Sequence, residues 1–144
     1  MLLTVFFDSD ALVAGSASRS GASFLLLQLC ELGLLKGVTC QCALDECRRN
    51  LKKKLPDALP VFNRIIEMSV KVINNPSKES IQRVKNMAHL KDLSILAAAV
   101  QCEANYLITF NIKHFHPAPA FSLEVCKPGD LLKKIRILLN TMAV

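Results

Sequence analysis

Apolar residues along this chain fall into two kinds of block. Short unbroken runs are bounded by polar or small residues: residues 2–7 (LLTVFF), 37–43 (GVTCQCA), 70–73 (VKVI), 105–110 (NYLITF) and 122–126 (SLEVC). Runs of this length, rich in Val, Ile, Phe and Tyr, predict strands, and the first of them, 2–7, reads as a buried one. Between them lie longer stretches with apolar positions at helical spacing. These predict helices over 21–34, over 43–54 with a basic end, and from Pro56 to about Met68. A further helix is predicted after the turn at Asn74-Asn75-Pro76, with Ser77 and Ser80 near its start, then one over 91–104 and one from Pro128 to about Asn140. Pro56 and Pro128 suit first-turn positions, where a missing N–H costs nothing. Strands alternate with helices throughout, which predicts an α/β fold around a mainly parallel sheet. No repeat, low-complexity tract or linker divides the chain, so a single domain is expected over 1–144.

Composition narrows the class. The chain has 144 residues, 51% of them hydrophobic and 21% charged, with a mean hydropathy of +0.32. It can bury a core and is not a disordered sequence. The longest apolar stretch, FLLLQLCELGLL at 24–35, is interrupted by Gln28 and Glu31 and is shorter than the ~18 residues of a membrane span. The N-terminus has no basic region before its apolar run, and Asp8 and Asp10 break that run. A soluble, cytoplasmic protein without membrane association is expected. The six cysteines form no CxxC pair and read as small buried apolar residues in a reducing compartment. The net charge of +6 favours an anionic partner.

The first strand runs directly into Asp8, with Asp10 two residues later. In open α/β sheets ligands bind outside the carboxyl ends of the strands, and Asp8 stands at such an end. Asn111 stands just past another. Asp10 reads equally as a support for such a site or as a cap of the helix that follows. On the 43–54 helix, Ala43, Leu44, Cys47 and Leu51 mark the buried stripe. Glu46 falls at its edge and Asp45 further out. Asp92 opens the most apolar helix, where an aspartate is also stabilised by free N–H groups. Acids gathered at one rim repel each other, and a hard divalent cation resolves that repulsion. A pair of such ions can hold both oxygens of a phosphodiester displacement.

These residues resemble the PIN-domain family of nucleases. The resemblance lies in VFFDSDALVAG, ALDECRRNL, KDLSILAAAVQCEANYLITFNIKHF and VCKPGDLL, which together span nearly the whole chain. It implies a three-layer α/β/α sandwich and an endoribonuclease dependent on Mg2+ or Mn2+. By the same resemblance Asp8, Glu46, Asp92 and Asn111 are the catalytic and metal-holding positions. Asn111 departs from the family's usual aspartate and offers a carbonyl oxygen without charge. Ser9 and Thr109 match hydroxyl positions that support the acids or a water. The implied chemistry is in-line attack on phosphorus by a water that the metal activates. Members of this size resemble the toxin halves of toxin–antitoxin pairs, which implies an RNA substrate, a small antitoxin protein and a homodimer.

Arg48 and Arg49, in the basic run after Glu46, are candidates for holding an RNA backbone, as are Lys113 and His114 beside Asn111. His89, His114 and His116 lack the spacing of a zinc motif and read as structural or surface residues, although His89 stands three residues before Asp92. Two other readings compete. A PIN-like domain short of one acid can serve as an RNA- or protein-binding module. The strand–Asp-x-Asp opening also fits haloacid-dehalogenase-like phosphatases, but the Gly-Asp those enzymes need occurs here only at Gly129-Asp130, too near the C-terminus.

Overall fold

The computed structural model describes residues 2–142, so the ends of the expected 1–144 span lie outside the described residues. All five predicted strands form: β1 (Thr4–Phe7), β2 (Lys36–Cys40), β3 (Val70–Ile73), β4 (Tyr106–Ile108) and β5 (Glu124–Cys126). They build one sheet in the order β3-β2-β1-β4-β5, with every neighbouring pair parallel. Among the described residues seven helices connect or flank them: α1 (Ser9–Ala17), α2 (Ala22–Glu31), α3 (Gln41–Lys54), α4 (Leu59–Ser69), α5 (Lys78–Arg83), α6 (Leu93–Gln101) and α7 (Pro128–Met142). Short 3-10 turns occupy Pro56–Ala58, Leu90–Asp92, Ile112–His114 and Pro119–Phe121.

The strand residues explain the layering. Along β1, Val5 and Phe7 point into one apolar cluster and Phe6 into the other, all without solvent exposure. The same alternation splits Leu107 from Ile108 on β4. Leu12, Leu26, Leu51, Phe62 and Leu131, from α1, α2, α3, α4 and α7, cover the first face. The apolar run Ile95–Ala99 of α6, with Val84, covers the second. This is the expected α/β sandwich with helices on both faces.

Several element ends differ from expectation, three of them for local reasons. The helix predicted over 21–34 stops at Glu31, because Gly33 takes the left-handed conformation (φ 79°) and Leu34 N–H turns back to Leu29 O. The helix predicted over 91–104 begins as a 3-10 turn and ends at Gln101, before Glu103 at φ 55°. The predicted 37–43 strand yields to helix after Cys40, so β2 enters α3 with no loop. Of the six free cysteines, Cys30, Cys40, Cys47 and Cys126 are buried as expected, whereas Cys42 and Cys102 are only partly so.

Gly37 lies where β2 meets β3 and α2. A Cβ there would stand 2.8 Å from Ser69 O and 2.9 Å from both Cys30 Sγ and Val70 Cγ1. Gly37→Ala is therefore expected to lower stability by about 1–3 kcal/mol through overpacking. Gly129→Ala, with no atom within 4 Å of its Cβ, should be neutral or slightly stabilising. Urea unfolding of the two variants beside the wild type checks both outcomes.

Candidate active site

β1 lies at the centre of the sheet, and the chain reverses its direction of growth across it. Strands β2 and β3 extend to one side, β4 and β5 to the other. The crevice at such a reversal, outside the carboxyl ends of the strands, is where open α/β sheets bind ligands. A cleft of about 380 Å3 opens there, lined by Asp8, Ser9, Asp10, Glu46, Asn50, Lys54, Lys91, Asp92, Asn111 and His114 with a few apolar neighbours.

Asp8 follows β1 and is only 6% exposed. It is the N-cap of α1, and Ser9 N–H donates to its Oδ1 at 2.7 Å. Its Oδ2 accepts from the hydroxyl of buried Thr109, past the end of β4, at 2.9 Å. Asp8, not Asp10, therefore caps the helix. Asp10, in the first turn of α1, reaches across to the segment after β4. Its Oδ2 accepts from Phe110 N–H at 3.0 Å and from Asn111 Nδ2 at 3.1 Å. Asn111 N–H in turn donates to Thr109 Oγ1 at 3.1 Å. A hydroxyl carries one proton, and the shorter contact assigns Thr109's to Asp8, since its distances to Asp10 are 3.4 and 3.5 Å.

Glu46 comes from α3. Its Oε2 accepts from Ser9 Oγ at 3.0 Å, and the neighbouring Cys47 thiol donates to Ser9 O at 3.3 Å. Because β2 feeds α3 directly, residues 46, 50 and 54 recur every four positions and all reach the cleft wall. Asp92 ends the 3-10 turn before α6. It occupies the N-cap position without capping; its Oδ2 instead accepts from His114 Nδ1–H at 3.0 Å. The His114 ring stacks on that of His89, with centroids 4.0 Å apart.

The structure thus brings Asp8, Ser9, Asp10, Glu46, Asp92, Asn111 and His114 to one cleft, with Thr109 beneath it. It does not bring Arg48, Arg49 or Lys113 to the cleft wall. Arg48 donates from Nε to Asn63 Oδ1 at 3.1 Å. The basic residues that do line the cleft are Lys54 and Lys91. Lys54 was legible in the sequence as the residue eight positions after Glu46, on the same helical stripe. Asp130, which the phosphatase reading would require, lines a different cavity beside Pro128 and Phe110.

Burial is the main cause that pushes the Asp8 carboxyl up from its ordinary 3.8 to about 6, and the charges of Asp10 and Asp92 add to it. Burial also raises Asp10. Among the described residues no Lys or Arg forms an ion pair with either acid. All four atoms that Asp8, Glu46, Asp92 and Asn111 offer are oxygens, the donor set of a hard divalent cation. A cation there would offset the burial and the repulsion that together raise the Asp8 carboxyl.

The sequence matches the family model for the PIN domain over residues 4–113. No curated protein matches it by sequence. Solved structures share its fold. One chain of VapBC2 from Rickettsia felis, determined bound to a DNA fragment from their promoter, gives a TM-score of 0.67 at 14% identity, covering 87% of this chain and 98% of that one. PAE2754 from Pyrobaculum aerophilum gives 0.67 at 16% identity, covering 95% and 98%.

The raised Asp8 value has a signed consequence for stability. The folded protein holds this proton longer than the unfolded chain does, so the stabilisation is complete below pH 3.8 and is lost as pH rises through about 6. Asp8→Asn should flatten this slope and stabilise the metal-free protein at pH 7.5 by on the order of 2 kcal/mol. Urea titrations at pH 4.5 and 7.5 measure it. A metal-free variant no more stable than wild type at pH 7.5 would refute the uncompensated carboxylate.

Proposed function

Because the chain belongs to the PIN-domain family, we propose that it is a nuclease that hydrolyses RNA phosphodiester bonds with Mg2+ or Mn2+. The observation that carries the reading is the convergence of Asp8, Glu46 and Asp92, with Asn111, in one cleft at the carboxyl edge of the sheet. We further propose that the protein is the toxin component of a toxin–antitoxin pair. The fold likeness to a chain of VapBC2, determined on promoter DNA, supports a small antitoxin protein as partner. The homodimer and the cytoplasmic location belong to the same proposal; among the described residues no helix is long and apolar enough to cross a membrane. One domain spans the chain on this reading.

Asp8, Glu46 and Asp92 would hold the cation through carboxylate oxygens. Asn111 has its Nδ2 turned to Asp10, which leaves its carbonyl oxygen as the donor. A divalent cation supplies, when bound, activation of a water and neutralisation of charge on phosphorus. The chain's own residues do the rest. Ser9 and Thr109 fix the rotamers of Glu46 and Asp8 through single hydrogen bonds. Asp10 clamps residues 110 and 111 against the start of α1. Lys54 and Lys91 place positive charge on the cleft wall, where a polyanion's phosphates would lie.

A second reading rests on Asn111. The fourth position carries no charge and its amide is already committed to Asp10, which favours a binding module that has kept the cleft and lost the reaction. One assay separates the two. With Mn2+ present, the wild type should cleave single-stranded RNA, and chelation should stop it. Asp8→Asn should lose about a hundredfold or more of the rate with an unchanged circular-dichroism spectrum. Wild-type activity in the folded variant would remove Asp8 from the reaction. RNA binding without cleavage in the wild type would favour the module.

A further inference from the structure

The pair of rings over Asp92 is built by long-range backbone pairing. Ala88 and Phe115 form an antiparallel bridge. His89 N–H donates to His114 O at 3.0 Å, and His116 N–H donates to Met87 O. Asp92 N–H closes the turn onto His89 O at 2.8 Å. These bonds fix the backbones of His89, Asp92 and His114 relative to one another, with no loop between them free to drift. The two rings stack at 4.0 Å with 19° between their planes. One donor atom from each of the three residues lies within 4.8 Å of the other two.

We propose that His89, Asp92 and His114 form a binding site for a borderline divalent transition metal of the Zn2+, Co2+ or Ni2+ type, on the Asp92 wall of the cleft. Two imidazoles and one carboxylate are the donor set that such ions prefer, and Mg2+ does not. Two donors each about 2.1 Å from one ion lie at most about 4.2 Å apart. To reach the roughly 3.4 Å ligand spacing of a tetrahedral ion the site closes by up to about 1.4 Å, and the exposed His89 ring can supply that movement. Asp92 Oδ2 already faces His114 Nδ1 at 3.0 Å, a spacing that two adjacent ligands of one ion also show; the ion would take the place of the Nδ1 proton, leaving the neutral ring protonated at Nε2. Three protein ligands leave further positions open. Asp92 and His114 line the cleft, so those positions are within reach of a phosphate bound there. The site is separate from the oxygen set around Asp8 in chemistry, and it shares with that set only Asp92, whose Oδ1 has no hydrogen-bond partner among the described residues. It does not depend on the ribonuclease reading.

The test is a Co2+ titration of the metal-free full chain, read by visible absorption and by calorimetry. Wild type, His89→Gln, His114→Gln and Asp8→Asn are compared, and thermal melts establish that each is folded. The wild type should bind Co2+ with an absorption band of nitrogen-ligated cobalt that excess Mg2+ does not remove. Each histidine variant should weaken binding by about tenfold or more, while Asp8→Asn should keep both band and affinity. His89→Gln changes an exposed side chain, so at least one informative variant retains the fold. A band and affinity unchanged in both histidine variants would overturn the proposal. So would a loss in Asp8→Asn as large as theirs, which would put the ion among the oxygen donors. Loss of RNA cleavage in Asp8→Asn, or its absence altogether, bears on the nuclease reading alone.

Discussion

The carboxyl edge of this sheet is organised around a carboxylate that is buried before anything neutralises it. β1 is central and covered on both faces, so the residue that ends it emerges inside the protein. An aspartate in that position loses its hydration, and only hydrogen bonds or opposite charge can replace it. The chain supplies Asp8 with a backbone N–H and a hydroxyl. It supplies no basic side chain in contact with it among the described residues. What remains uncompensated is expressed as a carboxyl titrating near 6. A structural aspartate would be expected to have acquired a lysine or a further donor. The deficit is intelligible if the missing charge arrives with a ligand.

Topology and helix register then decide which residues share that edge. The sheet order reverses between β1 and β4, so the segments leaving those two strands part and open the crevice. Thr109 bridges it, donating toward β1's aspartate and accepting from Asn111. The direct passage of β2 into α3 fixes the phase of that helix, and Glu46 arrives beside Ser9 as a result. A one-residue loop between them would rotate α3 by about 100° and carry Glu46 out of the cleft. Local conformation and function are linked here through the absence of a loop.

Much of this was legible in the sequence, for identifiable reasons. The strands are short, largely apolar runs bounded by polar residues, and the signal is cleanest in β1, β2 and β4, which are mostly buried. Asp8 and Asn111 were visible because they follow such runs. Helix ends were less legible, since Gly33 and Glu103 terminate α2 and α6 by adopting left-handed backbone, and the apolar pattern continues past both. Asp10 was ambiguous because its residue type suits a cap as well as a cross-strand clamp; which one it is depends on Phe110 and Asn111, a hundred residues away in sequence. The histidine pair was invisible for a similar reason. His89 and His114 meet through an antiparallel bridge between two irregular segments, and no local spacing announces such a pairing. Arg48 and Arg49 drew attention by their nearness to Glu46 in sequence, yet it is Asn50 and Lys54, on Glu46's own stripe, that reach the cleft.

Asn111 now has a physical account. Asp10 Oδ2 lies 3.1 Å from its Nδ2 and accepts from it. An aspartate in its place would set two carboxylates at that distance, and one would stay protonated or the segment would part from α1. The amide instead joins the segment after β4 to the first turn of α1 whether or not a cation is bound. The cost falls on ligand charge: the oxygen set keeps three carboxylates and a neutral carbonyl. That set still suits a hard cation, because Mg2+ commonly takes only one or two carboxylates and keeps several waters. Asp92 is the residue on which this balance turns. One of its oxygens is engaged by His114, so its position is held from the histidine side of the cleft while its other oxygen remains uncommitted. The edge of the sheet is thereby assembled in advance, by hydrogen bonds among polar groups that would otherwise drive each other apart.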